Sequence, residues 1–124
     1  MLSLPNKKKQ FYNNAKRDIN IAQSVSIEEV RFNYCFSALI KAGIALLSSH
    51  NVKIKSTAGH HIKILEKMSE ILGDPLIADI GNVMRAKRNL DFYDGGAVVT
   101  TKECNEYFVF VKDVLKKIKN KLQQ

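Results

Sequence analysis

Tryptophan is absent from the 124-residue chain, and proline and glycine are scarce, at two and six residues. So few turn formers argue against the many short hairpins of a sandwich or barrel, and long periodic stretches point to helices. Cysteine is just as scarce. Cys35 and Cys104 each fall within an apolar helical pattern and read as buried, reduced thiols. They fall short of the ligand number and spacing of a metal site, so neither metal nor cofactor is expected. Acids are outnumbered, with 12 Asp and Glu against 20 Lys and Arg, a formal net charge of +8. That excess fits an anionic partner such as RNA, a nucleotide or an acidic protein, and equally a solvated lysine surface. No apolar run follows Lys7-Lys8-Lys9, so no signal peptide is visible. The longest apolar stretch, Tyr34 to Leu47, contains Lys41 and is too short to span a bilayer. The expected setting is cytoplasmic, away from a membrane.

What is present is an ordinary globular composition, 45% hydrophobic, in a chain sized for one domain spanning residues 1–124. The periodicity predicts five helices in an all-α, antiparallel bundle. The first runs from Pro5 to Ser24 with the stripe Phe11, Tyr12, Ala15, Ile19 and Ala22. The second starts at a capping box, Ser26 with Glu29, and runs to Ser49. It is apolar almost all round from Tyr34 to Leu47, so it should be the central helix. The third starts near Ser56 or Thr57 and ends before Gly73, which suits a left-handed C-cap. Asp74-Pro75 opens the fourth, with core stripe Leu76, Ile77, Ile80, Val83 and Met84 and a second face of Ala78, Gly81, Arg85 and Asn89. Asp94 to Val99 is a loop. Thr100 and Glu103 form a capping box for the fifth helix, which ends near Leu122. The apolar second helix and the small-residue face of the fourth exceed what one short bundle easily buries, so a homodimer is expected.

Arg85, Arg88 and Asn89 crowd one face of the fourth helix, and Tyr93 follows five residues after Arg88. Two guanidiniums, an amide and a phenol are poor core material and good phosphate ligands. Arg85 and Arg88 are two of only four arginines. The plainer alternative for Arg88 is a salt bridge to Asp91 or to an acid on another helix, and Lys87 with Asp91 reads as an i,i+4 pair. His61 falls on an apolar stripe and reads as a core histidine, His60 faces outward, and His50 is a loop residue. The lysines of the fifth helix form a solvated face or a sequence-independent phosphate track.

Three segments in this order carry a resemblance. Arg31-Phe32-Asn33-Tyr34-Cys35-Phe36-Ser37-Ala38 follows an R-x-x-Y-x-x-x-A pattern. Lys55-Ser56-Thr57-Ala58-Gly59-His60 places a Lys and a His before the third helix. Arg88-Asn89-Leu90-Asp91-Phe92-Tyr93 lies where an R-x(4–6)-H motif would be. Across residues 26 to 122 the chain resembles the HEPN superfamily of small helical bundles. The resemblance implies a dimer whose two motif helices form one composite cleft. Active members are metal-independent ribonucleases, often toxins paired with a nucleotidyltransferase-type antitoxin; others bind nucleotides or serve as partners. It adds His60 to the candidate phosphate ligands and makes Arg88 and Tyr93 the candidate catalytic pair. Tyr93 departs from the motif histidine. An imidazole titrates near neutral pH and a phenol near ~10, so Tyr is the poorer proton carrier and serves better as a hydrogen-bond donor or stacking surface.

Overall fold

A computed structural model describes the backbone of residues 3–94 and 99–124 and the side chains of residues 8–90 and 99–124. Among the described residues there are five α-helices and no strand: α1 Ser3–Ser24, α2 Glu28–Ser49, α3 His60–Leu72, α4 Pro75–Asp94 and α5 Thr101–Leu122. The expected Asp94–Val99 loop has its residues 95–98 outside the described set.

α2 is the centre, as its all-round apolarity predicts. Phe32, Cys35, Phe36, Leu39, Ala42 and Leu46 are buried against the other helices. By length and composition α2 could also cross a membrane, yet 61% of its most apolar window is buried inside the bundle. One chain therefore buries this helix without a second copy, which removes that reason for a dimer. The stripe of α1 packs onto α2, with Ala15, Ile19 and Ala22 buried.

Two antiparallel hairpins, α1–α2 and α3–α4, make most of the bundle. Arg31 near the start of α2 donates to the Ala22 carbonyl at the end of α1, and Ser69 of α3 meets Ala78 of α4. α3 and α5 instead run in the direction of α2. His61 and Met68 of α3 lie beside Phe36 and Gly43 of α2 in the same order. Arg31 reaches Asn105 and Phe32 lies on Tyr107 at the start of α5. The bundle thus mixes parallel and antiparallel neighbours, because residues 50–59 carry the chain back before α3 begins.

Close approaches are made at glycine. A Cβ on Gly43 would strike the Met68 sulfur, and one on Gly81 would lie 2.5 Å from a Leu65 methyl. The small-residue face of α4 therefore serves packing within the chain. It also turns α4 away from the expected stripe: Ile77, Gly81 and Met84 are buried, whereas Leu76 and Val83 are 56% and 49% exposed.

The caps divide. Thr100 and Glu103 form their capping box reciprocally. Ser26 and Glu29 do not. α2 begins at Glu28 with Ile27 as an extended N-cap that makes no side-chain bond, which leaves Ser26 one residue too early. Glu28 accepts instead from the Thr101 hydroxyl, tying α2 to the start of α5. α3 begins at His60, later than expected, because Ser56–Gly59 form a bend and turn and Gly59 takes a left-handed φ of 80°. Gly73 closes α3 at φ 65° as its sequence position predicts. Asp74 caps α4 by accepting from the Leu76 N–H at 3.1 Å.

Candidate phosphate-binding cleft

The C-terminal half of α4 and the first turn of α3 come together over one face of the α1–α2 hairpin. There they enclose an open cleft of about 970 Å³. Its α4 wall is Arg88 and Asn89, and α3 contributes His61. From α2 come Asn33, Tyr34, Phe36, Ser37, Ile40, Lys41 and Ile44, a row at helical spacing. From α1 come Phe11, Arg17 and Asp18.

Phe36 joins the two sides. Its ring is buried, with the His61 imidazole edge-on at 5.6 Å and the Arg88 guanidinium over it at 5.5 Å. Resting on a ring fixes the guanidinium while leaving its N–H donors unused. Among the described residues Arg88 makes no hydrogen bond or ion pair, and it is exposed. Asp91, its expected salt-bridge partner, has its side chain outside the described residues, as does Tyr93, whose backbone lies in the last turn of α4.

Arg85 does not line the cleft. It is half-buried, and its Nε donates to Asn82 Oδ1 at 3.3 Å. His60 also stays outside. Its Nδ1 lies 3.0 Å from the Thr57 carbonyl oxygen, a helix-start contact for the Nδ1–H tautomer, and its ring packs 4.3 Å from His61. His61 thus lies where its apolar stripe points, against Phe36 at the cleft edge, and His60 stays off the lining. Burial holds the His61 pKa below the usual imidazole value, with His60, Arg88 and Arg85 pushing the same way. His61 is therefore a neutral imidazole at pH 7.

The opposite wall holds an ion pair with a buried acid and a half-buried lysine. Asp18 is 2% exposed. It lies 2.8 Å from Lys41 Nζ and accepts from Ser37 Oγ at 2.8 Å. A carboxylate so buried needs both partners to offset its desolvation. Sequence reasoning missed this cluster. The available signals were an acid beside the Ala15–Ile19–Ala22 stripe and one cation, Lys41, inside an apolar run.

Elsewhere the polar groups serve the fold. Lys87 pairs with Glu103 at 3.4 Å, joining α4 to α5, and Lys117 bridges Asp74 and Asp113. His50 closes the end of α2, its Nδ1 near Ser49 Oγ and the Leu46 carbonyl. Burial raises the Cys35 pKa to about 12 and raises that of Cys104, so both thiols stay protonated. Among the described residues no three His, Cys, Asp or Glu side chains converge on a possible metal position. Comparison with models of known families, with curated proteins and with solved structures gives no match.

Proposed function

We propose that this is a HEPN-like protein whose cleft binds phosphate groups of RNA or a nucleotide, carrying a degenerate ribonuclease motif. One observation supports this above the others. Arg88 is held on the Phe36 ring in an open cleft with its donors unused among the described residues. An arginine kept for the fold would use those donors inside the protein. Asn89 beside it offers an orienting amide, and Arg85, one turn earlier on α4, adds positive charge behind the cleft wall.

The setting that accompanies this reading is a cytoplasmic homodimer within a toxin–antitoxin or nucleotidyltransferase-associated pair. Support for assembly comes from α4. Leu76, Val83 and Leu90 recur every seventh residue and are 56%, 49% and 51% exposed, an apolar seam beside the arginines. Light scattering from a solution at tens of micromolar should give twice the 14.0 kDa chain mass; the chain mass alone would refute the dimer.

Binding is tested by the double change Arg85→Gln and Arg88→Gln. It should weaken RNA or nucleotide binding and flatten its salt dependence in a protein that still folds. Unchanged affinity would return both arginines to a structural role.

His61 favours a second reading, an active metal-independent ribonuclease. A neutral imidazole beside Arg88 could take the 2′-hydroxyl proton as O2′ attacks phosphorus. The P–O5′ bond would then break, water would protonate the leaving oxygen, and Arg88 would offset charge on the phosphate. EDTA-resistant cleavage by the native chain, lost in both Arg88→Ala and His61→Asn, would establish it. On the preferred reading the native chain cleaves weakly or not at all, and Tyr93→His creates or raises cleavage.

A further inference from the structure

We propose that the cleft contains a second phosphate subsite, formed by Arg17 and Lys41 on the α1–α2 hairpin, and that its ligand is single-stranded nucleic acid longer than one nucleotide. The inference rests on the phosphate-binding reading above and extends it from the α4 wall to the opposite one.

Length is the first consideration. The α2 lining runs from Asn33 to Ile44, eleven helical steps or ~16 Å along the helix axis. A phosphate at Arg88, over Phe36, occupies only part of that row. Charge is the second. The cleft presents three cations, Arg17, Lys41 and Arg88, against one carboxylate, Asp18. Arg17 is exposed and makes no hydrogen bond or ion pair among the described residues. Lys41 is held by Asp18 at 2.8 Å with 31% of its side chain exposed. An ammonium has three donors, so the ion pair fixes Lys41 at the wall without using all of them. Of the two rings in the α2 row, Phe36 is buried beneath Arg88, and Tyr34 is half-buried at the cleft. A cationic cleft that also offers an aromatic ring suits a single strand, whose bases stack. An acidic peptide would match the cations but would leave Tyr34 no role.

Fluorescence anisotropy with labelled hexauridylate, with UMP as a competitor, tests this. The wild type should bind hexauridylate more tightly than UMP. Arg17→Gln, a change at an exposed residue, should weaken hexauridylate binding several-fold and make its salt slope shallower by about 0.7, the value for one single-strand phosphate. It should leave UMP affinity unchanged, whereas Arg88→Gln should weaken both ligands. Charge reversal, Arg17→Glu, should exceed the Arg17→Gln effect, with circular dichroism confirming that both variants fold. Hexauridylate binding that ignores Arg17, or equal losses for both ligands, would overturn the second subsite and leave the Arg88 site standing. Absence of wild-type binding to either ligand would overturn the phosphate-binding reading as well. A polyglutamate peptide binding as tightly, with the same dependence on Arg17, would overturn the nucleic-acid assignment and give the cleft to an acidic protein.

Discussion

Arg31 and Arg88 both lie over a phenylalanine ring, at 5.3 Å from Phe108 and 5.5 Å from Phe36. They differ in what their N–H groups do. Arg31 Nε donates to the Ala22 carbonyl at 2.8 Å, and Nη1 donates to Asn105 Oδ1 at 2.7 Å. It ties the end of α1 and the start of α5 to α2, satisfying a carbonyl that the last turn of α1 leaves open. Arg88 has the same ring support and no such bonds among the described residues. The stacked guanidinium is thus a structural staple in one place and, among the described residues, has donors to spare in the other. The aromatic contact is common to both, so the unused donors are what the proposed binding role of Arg88 rests on.

Mutations should separate the two arginines by stability and by binding. Leu39, fully buried in α2, sets the scale of a purely structural loss. Leu39→Ala should cost ~2–5 kcal/mol in denaturant unfolding, and a loss below ~0.5 kcal/mol would mean α2 is not the core. Arg31→Ala should come next, at about 1–3 kcal/mol, since it leaves the Ala22 carbonyl unpaired in a helix seam. At temperatures where that variant is folded, its RNA affinity should be unchanged. Arg88→Gln should fall within ~0.5 kcal/mol of the wild type in stability, as at an ordinary surface site. A large stability loss in Arg88→Gln, or a binding loss in folded Arg31→Ala, would erase the contrast.

His61 gives a smaller test. Its folded pKa lies below its unfolded value, so the unfolded chain binds the proton more readily. Its contribution to stability is therefore full above ~6.5, the unfolded value, and is lost as pH falls through the lower folded value. His61→Gln should flatten the stability profile in that acidic window. A phosphate ligand in the cleft should raise the His61 pKa, read from its imidazole NMR shifts. An unmoved shift in saturating ligand would place the ligand elsewhere.

Periodicity made most of the helical frame legible. The apolar run of α2, the Asp74-Pro75 start and the Thr100–Glu103 box each act locally, and each is found where the sequence puts it. Features set by tertiary packing were hidden. The Ser26–Glu29 box lost to a start at Glu28 tied to Thr101. The buried face of α4 followed the Gly81–Leu65 approach, which exposed Leu76 and Val83. At the cleft the α4 cluster announced Arg88 and Asn89, because polar residues crowd one helix face. Asp18 and Lys41 meet only when α1 packs on α2, and His61 reaches the cleft only when the α3–α4 hairpin packs against that pair. His61 stands on the stripe of Leu65 and Met68, as its spacing predicts, but its place at the cleft edge depends on Phe36 of another helix.

The most direct test of the central claim is the salt dependence of single-stranded RNA binding, measured for the wild type and for the folded Arg85→Gln/Arg88→Gln variant. If these arginines hold phosphate, the variant binds more weakly and its log K against log salt line is shallower by about 0.7 for each phosphate the variant no longer neutralises. The same affinity and the same slope in a folded variant would contradict the account.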